Sequence, residues 1–580
     1  MSRVTKEIDP LTKALVQASF VNIADQAAEI LEKAAISFIL CEARDYCSAL
    51  LDAKGRLVSV AEKGGAEHVG SAELLLKATL DAFGDDFQPG DVILQNDPYV
   101  AYGNHLPDWT FIRPIFVDKK LTFFAMLRGH QADTKGAFPG GYFPGGFDIH
   151  AEGLLIPPTR IIRRDAKEKV YDFILHNVRW PESVRIDNAA IFAGLKRMEE
   201  GVVELCRRYG RRTLLNTIDT LIQGSEKAIR AELSQWPDGT WEGESQVDRD
   251  GSGAENVTVR VALTKKGDEL TVDLSKSDRQ VTFVNSGLGC TYCMTYTGLT
   301  PRFSPDIVTN SGKFKPIKII APRGTVVNPK FPATIGACAV FVGANIVEAM
   351  QMAIGKVLPD KVDAGWAQHM APIFIGHDPR SNESYWMVTF QSDGGSGASD
   401  VSDGCPNVAP VGPGGQLIDM PLELTEIKWP WRILKCELVT DSAGPGEYRG
   451  GLGISWLGLN EGGKALGQTG ACSGENWAPF GQNGGKPGIN SRIFCLRGGK
   501  EEYRPTIGNW TIEPGDIIGT VSSGGGGHGN PSKRPIERVK EDVINGYVSV
   551  KSAREDYGVV IDPKTFEVDW EATKALRGKK

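Results

Sequence analysis

Sixty-eight of the 580 residues are glycine, and they fall in short clusters rather than in one low-complexity tract. The densest are "DSAGPGEYRGGLGISW", "FGQNGGKPGINS" and "VSSGGGGHGNP", all in the last quarter of the chain. A residue without Cβ reaches backbone conformations and approach distances closed to other residues. Clusters of this kind inside apolar-patterned sequence therefore mark tight turns and close backbone contacts, not disorder. Runs such as "GGLG" and "SSGGGGHG" are read here as turns, with a backbone cradle for phosphate as the alternative. The short stretches between them predict short strands, and so a large β-rich region with glycine-rich turns.

The rest of the chain has a different texture. Residues 9–37 carry apolar side chains at helical spacing behind an Asp9 cap and Pro10. "SFILCEARDYCSALLDAKGRLVSVAEK" predicts two strands around a turn at Asp52–Gly55. A helix should begin at Ser71, and "DVILQN" and "DWTFIRPIFVDKKLTFFAMLRGHQAD" read as strands. From 183 to 235 the pattern is almost wholly helical, with a break at Tyr209–Gly210. "NVTVRVALTKKGDELTVDLS" returns to strands, and one further helix is expected over 344–358. These signals predict a mixed α/β (α+β), multidomain chain. Its parts would be an N-terminal α/β domain (1–180), a helical connector (181–240), a β-rich domain (241–530) and a C-terminal helical tail (531–580).

A formal charge of −7 and a pI near 5.8 give no sign of a nucleic-acid or anionic-membrane surface. No apolar run approaches the ~18–20 residues that a membrane span needs. "MSRVTKEIDP" lacks the apolar core of a signal peptide. The ten cysteines are scattered, with a single CxxC at Cys290 and Cys293. They read as buried reduced thiols of a cytoplasmic protein.

Five of the eight histidines fall between positions 68 and 176: His68, His105, His130, His150 and His176. Each sits in a loop-like context, and "GNHLPD" and "RGHQAD" place Asp108 and Asp133 three residues after a histidine. Asp45 in "EARDYCS" lies on a predicted strand, where a buried charge needs a partner. Imidazoles and carboxylates gathered from separate loops are how a nitrogen/oxygen metal site for zinc, manganese or iron(II) is built. The same residues could equally form an acid–base site or hydrogen-bonded turns, and their spacing matches no short zinc motif. No Gly-Lys is followed by Ser or Thr, and neither GxSxG nor HExxH occurs.

Read in order, "EARDYCSALLDAKGRLV", "EHVGS", "PGDVILQNDPY", "HLPDWTFIRPIF", "GHQAD", "EGLLIPP", "IIAPRGTVVNPKFPATIGA", "ELVTDSAGPGEYRGGLG" and "VINGYVSVKSAREDYGVVIDP" carry an end-to-end resemblance. The chain resembles the B-type subunit of the hydantoinase/oxoprolinase family, which also supplies a large subunit of acetone and acetophenone carboxylases. The resemblance implies an enzyme subunit acting on a small carbonyl compound. A companion hydantoinase A-type ATPase would bind ATP and Mg, and some assemblies would add a small third subunit. It implies a divalent metal (zinc, manganese or iron) with His105, His130, Asp45 and His150 as ligands. Asp108, Asp133 and His68 would be ligands, orienting carboxylates or proton-transfer groups. Departures from the family pattern, "AYGN" before "HLPD" and the aromatic loop "GAFPGGYFPGGF", lean the expectation toward ketone carboxylation. ATP-dependent hydrolysis of a hydantoin, 5-oxoproline or lactam is the alternative, and a non-catalytic scaffold subunit is the remaining one.

Overall fold

The computed structural model describes residues 8–65, 68–408, 410–468 and 472–578. It is a mixed α/β structure with sheets of seven, four, four and five strands. The seven-stranded sheet holds the candidate residues. Its strands are β1 (Tyr46–Asp52), β2 (Leu57–Val60), β3 (Val92–Gln95), β4 (Asp108–Val117), β5 (Lys120–His130), β6 (Thr159–Arg163) and β7 (Ala166–Lys167). They run in the order β2-β1-β5-β4-β3-β6-β7, each antiparallel to its neighbours.

Both faces of this sheet are covered, so its central strands are apolar at almost every position. One face packs on the helices Pro10–Ala34 and Pro181–Tyr209, through Phe20, Ala27, Leu127, Phe111 and Ile191. The other packs on the helix Ala72–Phe83, through Leu75, Leu76, Ala49, Ile112 and Met126. The first helix begins as the sequence predicts, with Asp9 accepting a hydrogen bond from the Thr12 amide at 2.9 Å. The long helical stretch breaks at Gly210, which adopts φ 84° and ends one helix while starting the next, Arg211–Leu233. Ser71 occupies the predicted start of its helix but does not cap it. Its hydroxyl accepts instead from the buried Arg128 Nη2 at 2.9 Å.

A second sheet comprises Gly239–Arg249, Glu255–Lys266, Glu269–Asp273 and Ile317–Ile320, with the helix Ala344–Gly355 against it. That helix ends before the predicted position 358, and a π-helical turn at Ala339–Gly343 precedes it. Cys290 and Cys293 lie on the helix Leu288–Leu299 as buried free thiols. Among the described residues no helix is long and apolar enough to cross a membrane.

One glycine run departs from the turn expected of it and bears out the close backbone contacts instead. Gly524–Gly527 contain no residue at positive φ and form no turn. They run extended through a bundle of chain segments that hydrogen-bond in several directions at once. Gly526 N–H donates to Gly365 O (2.8 Å) and its carbonyl accepts from Ala398 N–H (3.0 Å), while Gly525 N–H donates to Gly451 O (2.9 Å) and the Gly525 carbonyl accepts from Gly444 N–H (2.8 Å). Gly527 N–H reaches Lys486 O at 3.0 Å. Five segments, near 365, 397, 448, 484 and 525, thus pack backbone against backbone. A Cβ on Gly525 would lie 1.9 Å from Ser396 O, and one on Gly526 would lie 1.9 Å from Phe480 O. Glycine is required there by proximity, not by turn geometry.

Candidate metal centre

The site begins with a tight hairpin. β4 and β5 are joined at Asp118 and Lys119, both at positive φ (50° and 62°), as a two-residue connection matched to strand twist requires. A two-residue turn alone would set Asp108 against Gly129. A β-bulge between Ile115 and Phe116, where Thr122 drops out of the pairing, shifts the register by one and pairs Asp108 directly with His130. The next strand over continues the row, because His130 N–H donates to Asp45 O at 3.1 Å just ahead of β1. Alternation along antiparallel strands puts directly opposed residues on one face. Asp45, His130 and Asp108 therefore form a line across three neighbouring strands at one end of the sheet.

Loops supply the other groups. His105 sits in the turn leading into β4, where Asp108 N–H donates to its carbonyl at 3.1 Å. Its ring Nε2 lies 3.0 Å from Asp108 Oδ1. His130 Nδ1 lies 3.3 Å from the same oxygen and 3.6 Å from Asp45 Oδ2. His68 Nε2 meets Asp45 Oδ1 at 2.7 Å, and its Nδ1 is 3.2 Å from the Asn104 amide nitrogen. Arg128 holds the His68 carbonyl at 3.3 Å. All four histidine and aspartate side chains of the inner group are nearly sealed, with His68 and His130 at 2%, His105 at 7% and Asp108 at 1% exposure.

The electrostatics show a deficit of positive charge. The Nδ1–H of His105 donates to Gly336 O at 2.8 Å, and a carbonyl can only accept, so the proton sits on Nδ1. With no cation bound, the carboxylate oxygen 3.0 Å from Nε2 favours a second proton on the ring, and a bound cation would take that proton's place. Burial pushes the His105 imidazolium down, but Asp108 and the Gly336 carbonyl outweigh it and lift the group to about 9. Burial raises the Asp108 carboxyl, but His105 and His68 outweigh that and hold it well below the usual range. Despite these short approaches, both Asp108 oxygens and both His130 ring nitrogens lack an aligned hydrogen-bond partner. Buried polar atoms are rarely left so.

His105, Asp108 and His130 offer three ligand atoms within 4.8 Å of one another, the one such buried set found among the described residues. Two imidazoles and a carboxylate suit zinc, manganese or iron(II), and an ion between them would satisfy one orphaned nitrogen of His130 and an oxygen of Asp108. Tyr142 closes one side, its ring 5.8 Å from His105 and 6.4 Å from His130. Trp386 lies nearly parallel to His130 at 6.4 Å, so the aromatic loop and a distant strand wall the centre.

Of the residues expected from sequence, His105, His130, Asp108, Asp45 and His68 come together. Two do not. His150 is exposed in a 3-10 turn with its ring against Phe331 at 5.7 Å. Asp133 is buried, but its carboxylate is taken by Arg179, through the amide at 2.7 Å and Nη1 at 2.8 Å. His176 is likewise exposed, at the end of the helix Lys169–His176. Sequence reading missed Glu152, Gly336, Asn104 and Trp386. Glu152 and Gly336 lie inside the motifs "EGLLIPP" and "PATIGA", a signal that marked the segments but not the residues. Burial pushes the Glu152 carboxyl up to about 8, against the two backbone N–H groups it binds.

Fold and site together define a multi-element enzyme subunit with a buried centre fit for a divalent metal. The chain belongs to the Hydantoinase B/oxoprolinase family, whose model matches residues 9–531. It is 31% identical to the beta subunit of caprolactamase from Pseudomonas jessenii over 98% of this chain and 99% of that one. The crystal structure of the ATP-dependent caprolactamase from that organism superposes with TM-score 0.90 at 30% identity, covering 99% of this chain and all of that one (100%). The B-type subunit of a putative D-/L-hydantoinase from Pseudomonas sp. (strain NS671) is 29% identical over 99% and 98% of the two chains. The acetophenone carboxylase delta subunit of Aromatoleum aromaticum is 24% identical over 92% and 84%. These relatives are enzymes or enzyme subunits, and so is this chain.

Proposed function

We propose that this chain is the acceptor-side subunit of an ATP-dependent enzyme that opens a cyclic amide, a lactam or hydantoin. A companion hydantoinase A-type ATPase would bind ATP and Mg and phosphorylate the amide oxygen. The observation that carries this reading is the end-to-end likeness to the caprolactamase beta subunit, at 31% identity against 24% for the acetophenone carboxylase subunit. His105, Asp108 and His130 would hold the divalent ion. Such an ion supplies Lewis acidity to an oxygen that gains negative charge in the reaction. Asp45 is the most open of the group, at 15% side-chain exposure. It takes the proton of the attacking water, while His68 binds its Oδ1 and leaves Oδ2 toward the site. Tyr142 and Trp386 cover the imidazoles and keep bulk water out.

A second reading, carboxylation of a ketone through an enolate, draws on the aromatic loop that puts Tyr142 against both imidazoles. The two are separated by reconstituting the chain with its ATPase companion. ATP-dependent ring opening of a lactam or hydantoin is expected, with about one metal ion per chain that a His105→Ala/His130→Ala variant loses together with activity. Consumption of ketone and bicarbonate without ring opening would favour the second reading. Full activity without metal, or unchanged metal in the variant, would remove the centre from the chemistry.

A further inference from the structure

We propose that Glu152 is a positioning residue for the metal centre: through the loop at Gly336 it fixes which nitrogen of His105 faces Asp108. This rests on the reading above, that His105, Asp108 and His130 hold a divalent ion. Glu152 is 1% exposed and makes no ion pair with a lysine or arginine of the described residues. Its carboxylate is spent on two consecutive backbone groups. Oε2 accepts from Ile335 N–H at 2.8 Å and Oε1 from Gly336 N–H at 2.7 Å. The Ile335 carbonyl in turn accepts from Cys338 N–H at 3.3 Å, which closes a turn with Gly336 inside it. The Gly336 carbonyl is thereby aimed at His105 Nδ1, 2.8 Å away.

Two further observations point the same way. A Cβ on Gly336 would sit 2.7 Å from Glu152 Oε1 and 2.8 Å from the Phe283 ring, so this loop is glycine where the carboxylate presses against it. Thr334, two residues earlier, is fixed separately: its carbonyl accepts from Asn285 Nδ2 at 2.9 Å, and its hydroxyl lies within hydrogen-bond reach of Phe283 N–H at 2.5 Å. The loop is thus tied down residue by residue up to the carbonyl that His105 uses. A free imidazole can bind a metal through either nitrogen, and the hydrogen bond made by the other one decides. A carboxyl group is suited to two adjacent N–H donors because each of its oxygens can accept, and those donors favour its ionised form against the burial that raises it. A glutamine can satisfy only one, because its NH2 would meet the second N–H donor to donor.

The test is Glu152→Gln in the full chain, with Mn2+ and Zn2+ as probes in chelator competition and the variant's melting transition as a check of folding. The expected result is a roughly 10–100-fold loss of metal affinity. Turnover with the ATPase companion should recover when metal is raised to saturation. Wild-type affinity in a folded Glu152→Gln chain, or lost turnover at full metal occupancy, would overturn the proposal. Should the variant not fold, the wild type decides. Histidine-selective 15N spectra of the Zn-loaded chain should show His105 protonated at Nδ1 and ligated through Nε2, and ligation through Nδ1 would overturn the positioning role. A wild-type chain that binds no metal at His105 and His130 would instead refute the underlying reading, so the two failures are distinct.

Discussion

Placing the same substitution, glycine to alanine, at two positions should move stability in opposite directions. Gly525 lies in the bundle of extended segments, and an added Cβ would meet Ser396 O at 1.9 Å and Ser396 C at 2.2 Å. Ordinary contact needs more than ~3 Å, so a backbone must move by roughly an ångström. Ser396 has little freedom to do so, since its N–H donates to Cys405 O at 2.9 Å and its carbonyl accepts from Gly451 N–H at 2.9 Å. Overpacking by a methyl group costs about 1–3 kcal/mol where side chains can yield, and backbone on both sides puts Gly525→Ala at or above about 3 kcal/mol. Gly224 is exposed within the helix Arg211–Leu233, and a Cβ there meets nothing within 4 Å. Gly224→Ala should stabilise by about 0.5–1 kcal/mol, from helix propensity and reduced unfolded-state entropy. Thermal melts of the two variants beside the parent chain read both signs directly. For 580 residues unfolding together, about 1 kcal/mol moves a transition by only about 1 °C, so the Gly224→Ala gain is read more safely from denaturant midpoints. A Gly525→Ala chain that melts with the parent would refute the packing argument.

Two further outcomes follow from buried carboxylates. Arg179→Met strips the Nη1 contact from Asp133 but leaves the backbone amides of positions 179 and 135. It should cost about 1–3 kcal/mol of stability and leave metal content unchanged, and loss of metal would return Asp133 to the site. Burial and the neighbouring Asp393 push the Asp419 carboxyl from an ordinary value near 4 up to about 7. The folded chain thus holds that proton more tightly than the unfolded one, and the stability this gives is lost as pH rises from about 4 through 7. Asp419→Asn should melt with the parent at pH 4–5 and above it at pH 8, and a lower transition at pH 8 would contradict the sign.

Much of the centre was legible because it is local. The hairpin from Asp108 to His130 is closed by a local two-residue turn, but the pair comes side by side only through the one-residue bulge at Ile115/Phe116, which alternation does not announce. Asp45 was visible as a charge on a strand otherwise apolar. Asp133 shows where that logic ends. Gln131 N–H already bonds Pro107 O, the chain leaves the strand, and the carboxylate meets an arginine 46 positions away that no local pattern announces. Glu152 was hidden for the same reason, since its partners lie 183 and 184 positions on. The glycine clusters do mark close backbone contacts, as expected, but the run Gly524–Gly527 is not the turn it was read as. A run of four glycines reads alike whether it turns or lies packed, and the difference rests on segments distant in sequence.

That bundle has a consequence for how the chain is made. The segment at Gly524–Gly527 hydrogen-bonds to Gly365, Ala398, Gly444, Gly451 and Lys486, so none of those partners is complete until residue 527 has been synthesised. The strands carrying Asp108 and His130, with Asp45 just ahead of β1, leave the ribosome hundreds of residues earlier and can form their sheet first. Closing the bundle is therefore a late and demanding step, one of long loop closures with no side chains to guide them. A chain ending before residue 523 would keep Asp45, Asp108 and His130 but leave the partner segments of the missing glycines unsatisfied, a substrate for chaperones and proteases.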